Sequence, residues 1–237
     1  MDQVLALLRL MPWADWAALA WFLAAWIGYA RFAVHRSHTH PSVLVATNRL
    51  RHQWMLQVTK RDVRIVDGAI VQSLANSPAF FASTTILIIG GLLAVLGTSQ
   101  KATELVSELP FAAQTPVLVF DFKLLTLTAV FVYAFFRFTW SIRQYGFGAM
   151  LVGAAPEARE FLADPSLSRE QYSERAGHVL SLAAETFTDG MRSYYMAFAM
   201  IGWFVSPLAF AVATVGVLIV LYRREFHSEV LEVLRAL

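Results

Sequence analysis

The chain has 237 residues, of which 57% are hydrophobic and only 15% charged, with a formal net charge of +2. A soluble domain carries about 25% charged residues, so this composition cannot clothe a globular surface in water and points to lipid as the solvent. So small a net charge gives no footing for a nucleic-acid partner. The absence of cysteine excludes disulfides, thiolate nucleophiles and thiolate metal sites.

Met1-Asp2-Gln3 has no positive n-region and no small-residue cleavage site follows, so the first apolar segment is expected to stay in the protein. That segment predicts a span over residues 13–34. Trp13 and Trp16 sit where an aromatic belt belongs. Ala20, Ala24 and Gly28 recur every four residues and share one small face that lets another helix approach. The longest uncharged run, between Asp67 and Lys101, predicts a second span over residues 75–96. A third, over residues 119–140, reaches full length with Asp121 and Lys123 at one interface and Arg137 snorkelling at the other. Upstream of it, residues 109–120 are apolar but carry Pro110 and Pro116, which reads as a re-entrant or interfacial piece. The fourth span is expected over residues 194–222, kinked at Pro207.

Two helical segments, residues 42–73 and 141–192, connect these spans. With the flanking Arg31, Arg36 and Arg137 they hold thirteen of the nineteen Lys and Arg residues. The positive-inside rule therefore predicts cytoplasmic loops and two periplasmic termini, with Arg223-Arg224 after the last span against it. Ala46, Leu50, Trp54 and Val58 form one stripe, with Arg49, Gln53 and Lys60 on other faces, as in a helix lying on a membrane surface. Ser168 and Gln171 resemble a capping box ahead of a second stripe from Tyr172 to Tyr194.

The sites worth weighing are few. His35, His38 and His40 have a spacing that can share a metal, but no cysteine or nearby carboxylate supports them, and a solvated loop is the preferred reading. Arg64, Arg137 and Arg143 are candidates for an anion or headgroup site at a pore mouth. Asp62 and Asp67 are their candidate ion-pair partners, and Arg64 and Asp67 stand three apart on one helical face. No phosphate loop, zinc-protease helix or nucleophile elbow is present. No cofactor, metal or catalysis is expected.

The stretches RHQWMLQVTKRDVRIVDGAI, FFASTTILIIGGLLAVLG, FRFTWSIRQYGFGAMLVGAAP and GMRSYYMAFAMIGWF resemble a family of bacterial membrane proteins, also present in plants, known as domain of unknown function 599. The resemblance implies a four-span inner-membrane protein and brings no activity with it. HRSHTH is not a stretch associated with that family.

The fold expected is an all-α polytopic membrane protein with about four transmembrane helices and amphipathic cytoplasmic helices, forming a single membrane domain. The functional expectation is a homo-oligomeric channel or channel-like transporter for a small ion or solute, lined by the second span. The alternative is a non-catalytic scaffold or accessory subunit with a protein partner in a larger membrane complex. Either form would touch anionic lipid headgroups through its basic segments.

Overall fold

Lipid offers no hydrogen bonds, so each apolar run closes its own backbone bonds by coiling into a helix. The computed structural model describes residues 10–40, 42–101 and 116–235, and no strand forms among them. The helices are α1 (Trp13–Thr39), α2 (Val43–Val58), α3 (Ile65–Leu96), α4 (Val117–Gly153), α5 (Glu160–Ala163), α6 (Arg169–Val205), α7 (Pro207–Phe226) and α8 (Glu229–Arg235). Among the described residues, four stretches are helical, long and apolar enough to cross a membrane: Trp13–Ser37, Ile65–Leu96, Val117–Gly153 and Pro207–Leu234. The chain is an all-α polytopic membrane protein.

Local chemistry sets several boundaries. Ser42 caps α2 by accepting the Val45 N–H at 3.3 Å. Ser168 does the same for α6, accepting the Gln171 N–H at 3.2 Å, as the capping-box spacing implies. α4 starts directly after Pro116, whose fixed φ suits a first turn. The expected piece at residues 109–120 lies mostly outside the described residues, and its last four belong to α4. Three of the expected boundaries disappear. α3 is continuous through residues 73–75, α4 through 140 and α6 through 192. Pro78 sits inside α3 and removes one backbone donor without ending the helix.

The chain divides into two compact units. One comprises Met1–Thr39, Thr85–Ala134 and Met191–Arg224; the other comprises His40–Thr84, Phe135–Gly190 and Glu225–Leu237.

In the first unit the end of α6 is the central element, with Ser193, Tyr194, Met196, Ala197, Ala199, Met200 and Trp203 all buried. The fourth span, expected as one kinked helix through Pro207, is instead two antiparallel helices. A kinked helix would hold Tyr195 and Arg224 about 40 Å apart at 1.5 Å per residue. The Arg224 guanidinium instead stands 5.4 Å from the Tyr195 ring. Ser206 makes the turn, accepting the Ala209 N–H on its hydroxyl at 3.0 Å. Pro207 is the first helical residue of α7, where its missing N–H costs nothing. Gly202 allows the close return, since a Cβ there would lie 3.0 Å from the Ala209 carbonyl oxygen.

α1 runs parallel to α7, with Phe22 against Phe210 (4.9 Å) and Phe32 against Tyr222 (6.3 Å). Phe22, Trp203 and Phe210 are fully buried, and Trp203 stacks on Phe210 at 5.0 Å. α4 antiparallels α6: Phe120 meets Phe204 (5.4 Å) and Phe131 meets Tyr194 (5.2 Å). A central helix covered by its neighbours touches protein rather than lipid, so it tolerates Arg192, Ser193 and Tyr194 in its sequence.

The second unit packs Met55 and Val58 of α2, Val71 of α3, Tyr145 and Val152 of α4, and Ala176, Leu180 and Ala183 of α6 into one core. Of the expected α2 stripe, Val58 and Trp54 pack into this core and Ala46 and Leu50 are half-buried, while Arg49, Gln53 and Lys60 stay exposed. α8 packs on α2. α4 and α6 approach closely where Gly190 meets Phe138, and a Cβ added at Gly190 would lie only 2.5 Å from the ring. Phe138 in turn stacks on Phe81 at 5.5 Å.

Candidate functional site

Arg64 lies just before α3, beside the last residue of α2, whose carbonyl lacks an intrahelical donor, and the chain that leaves α4. Its guanidinium donates to Val58 O at 3.2 Å, to Pro156 O at 2.5 Å and to Ala155 O. It ties the end of α2 to the exit of α4. It does not pair with Asp67, because Asp67 points into the core. Burial pushes the nearby Tyr172 hydroxyl up, and the Arg64 charge pulls it back down. Tyr172 donates to Leu151 O at 2.7 Å, closing the same corner.

Asp67 is completely buried. Its Oδ1 accepts both the Trp54 indole N–H and an Arg61 N–H, each at 2.7 Å, so its cation is Arg61 rather than Arg64. Its Oδ2 is buried without a donor. Asp62 is exposed in the connection between α2 and α3.

Arg137 forms an ion pair with Asp189 at 2.5 Å, both side chains partly exposed. Its expected partners were Asp62 and Asp67; Asp189, on the facing stretch of α6, is closer to hand. Arg143 is exposed on α4. The three arginines do not converge. Residue 137 and the end of α4 at residue 153 are about 24 Å apart along the helix, and Arg64 sits beyond that end.

A polar seam joins α2 to α6. Asn48 donates to Glu185 at 2.9 Å, and Arg51 donates to Asn48 Oδ1 at 2.7 Å. Burial pushes the Arg51 guanidinium down, and the facing Tyr145 and Glu185 push it up.

The first unit holds a feature that residue spacing could not reveal. Lys123, read as an interfacial charge, is buried, as is Asp15. Lys123 Nζ stands 2.9 Å from Asp15 Oδ1 and donates to Trp203 O at 3.0 Å. Trp203 returns its indole N–H to the same Asp15 oxygen at 2.7 Å. The acid lies in the first turn of α1 and the cation against the last turn of α6, the signs that the helix dipoles favour. The arrangement is a clamp across three helices.

α3 is sparsely covered: 11% of its most apolar window is buried, against 17% for Pro207–Leu234, 28% for Trp13–Ser37 and 50% for Val117–Gly153. Gln72, Ser73, Asn76, Ser77 and Ser83 are exposed on it, and Gly90 and Gly91 follow. At 100° per residue, Gln72, Asn76, Ser83 and Gly90 fall within about 40° of one another. Gln72 reaches Asn76 Oδ1 at 3.4 Å, a long hydrogen bond. Among the described residues, no group of three His, Cys, Asp or Glu side chains is placed to hold a metal. α1 extends through Thr39, so His35 and His38 stand on a helix rather than in the loop expected for them.

A family model described as "Protein of unknown function, DUF599" matches residues 17–230. The chain belongs to this family. The match takes in most of α1 and all of α2 to α7; Asp67 and Lys123 fall inside it, and Asp15 precedes it. Neither the curated proteins nor the solved structures give a match, so for this DUF599 member the residues themselves carry the functional argument.

Proposed function

We propose that this DUF599 protein is a non-catalytic, homo-oligomeric, channel-like transporter for a small ion or solute in the bacterial inner membrane, with α3 lining the pathway between copies. The observation that carries this reading is the exposed polar stripe of α3, from Gln72 to Ser83, on an otherwise apolar span. Hydrocarbon cannot satisfy amide and hydroxyl groups, so this stripe calls for a second polar surface or for water. Asn and Gln carry both donors and acceptors, which makes the stripe complementary to its own copy.

The buried carboxylates favour a non-catalytic reading. Asp15 and Asp67 each face one indole N–H and one cation, the geometry of a clamp. The basic mouth is narrower than expected. Arg64 and Arg137 are engaged with carbonyls and a carboxylate, which leaves Arg143 as the exposed member of the set.

The same reading includes a topology. The α6–α7 hairpin supports a fifth crossing by the end of α6, with the C-terminus in the cytoplasm beside the basic loops. This replaces the expectation of two periplasmic termini. Arg223, Arg224 and Arg235 then join the cytoplasmic charges, and among the described residues only Lys101 and Lys123 stand on the other side.

The chain has no cysteine, so a Ser83→Cys variant tests the reading directly. Oxidation in native membranes is expected to link identical chains, and the purified protein in liposomes to pass ions or small solutes above empty-vesicle controls. Cross-links to a different protein, with no flux, would favour the accessory-subunit alternative.

A further inference from the structure

The ends of α1 and α7 that lie together in the first unit are strongly basic. Arg31 and Arg36 stand on α1, and Arg223 and Arg224 occupy the last turn of α7. Between them sit aromatic rings. Phe32 and Tyr222 are 6.3 Å apart, and the Arg36 guanidinium lies 5.6 Å from the first and 5.7 Å from the second. Arg224 lies over the Tyr195 ring and donates to its hydroxyl, and Arg192 lies 5.9 Å from the Tyr29 ring. Arg31, Arg223 and Arg224 are exposed.

The described carboxylates of this unit are Asp15 and Asp121, both near the Trp203 end. Charge is thus segregated along the unit. The end bearing Arg31, Arg36, Arg223 and Arg224 is cationic, with Glu225 following on the same turn of α7 and offsetting one charge. The C-terminal dipoles of α1 and α7 favour the cations of their last turns, Arg36 and Arg223–Arg224, whereas Arg31 stands two turns before the end of α1. Arginine with tyrosine at the end of spanning helices matches the depth of lipid headgroups.

We propose that this α1–α7 surface docks the headgroup of an anionic phospholipid. The binding is electrostatic, with the aromatic rings setting the height of the guanidinium groups against the phosphate. It does not depend on the channel reading.

Native mass spectrometry of the intact protein in detergent, titrated with phosphatidylglycerol or with phosphatidylcholine of the same chains, tests it. The wild type is expected to bind the anionic lipid at least tenfold more tightly, with affinity falling as salt rises. Replacing Arg223 and Arg224 with Gln should weaken that preference by about fivefold per charge, while Lys101→Gln, an exposed charge far along the chain from this surface, leaves it unchanged. Equal binding of the two lipids by the wild type overturns the proposal without recourse to any variant. So does an equal loss in Lys101→Gln, which would make the effect one of net charge. Displacement of the lipid by inorganic phosphate at matched concentration would assign the surface to a free anion instead.

Discussion

Lys123 and Asp15 meet at 2.9 Å inside the first unit, both almost wholly shielded from solvent, with the Trp203 indole N–H on the same carboxylate oxygen. Two charges so buried are costly unless each compensates the other. Lys123→Met is expected to destabilise the protein by about 3–5 kcal/mol, because it strands a buried carboxylate. Combining it with Asp15→Asn should restore much of that, since the amide oxygen still accepts from Trp203. Thermal unfolding in detergent would show whether the double variant melts above the single one. An equal loss in both would mean that charge compensation is not what the clamp supplies.

The α6–α7 hairpin predicts where the chain ends. Single cysteines at Thr98 and Ser228 can be placed in a background that lacks cysteine. A membrane-impermeant maleimide should label the Thr98→Cys protein in intact cells and the Ser228→Cys protein only after permeabilisation. Labelling of Ser228→Cys in intact cells would contradict a cytoplasmic C-terminus and the fifth crossing together.

The arginines picked out by sequence should behave as structural groups to different degrees. Arg64→Ala removes the side-chain donor from Ala155 O and Pro156 O just past α4 and one of two donors from Val58 O and should cost about 2–3 kcal/mol. Arg137→Ala breaks a partly exposed pair and should cost about 0.5–1 kcal/mol. Arg143→Ala, on an exposed surface, should fall within about 0.5 kcal/mol of wild type. Chemical denaturation of the purified variants ranks them. An Arg64 variant as stable as the Arg143 variant would remove the capping role.

Gly190→Ala should also be poorly tolerated. The added Cβ would lie 2.5 Å from the Phe138 ring, which is fully buried and stacked on Phe81. Overpacking of this kind costs about 1–3 kcal/mol. Gly146, with open space around its Cβ position, is the matched control. A melting temperature for Gly190→Ala no lower than for Gly146→Ala would show that the ring gives way.

The class of protein and its apolar spans were legible because they rest on local quantities: hydropathy over some twenty residues, charge in the flanks and capping residues such as Ser168. Even the stripe from Tyr172 to Tyr194 could be read, since a helical period repeats in sequence. The direction of the chain after Ser206 could not. Pro207 is compatible with a kink inside one helix and with the first turn of a new one, and only the contacts of Tyr195 with Arg224 and of Trp203 with Phe210 separate the two.

Ion pairing shows the same division. Spacing suggested Arg64 with Asp67, because residues three apart on a helix are neighbours. Yet Arg61 and Trp54 reach Asp67, and Arg64 turns to carbonyls at the end of α2 and just past α4. Asp15 and Lys123 lie more than a hundred positions apart, so no local pattern links them. Residue order and composition suffice to put the chain in lipid as helices. Tertiary structure alone decided which charges meet and which faces stay open, because those depend on helix packing that brings distant residues within a few ångströms.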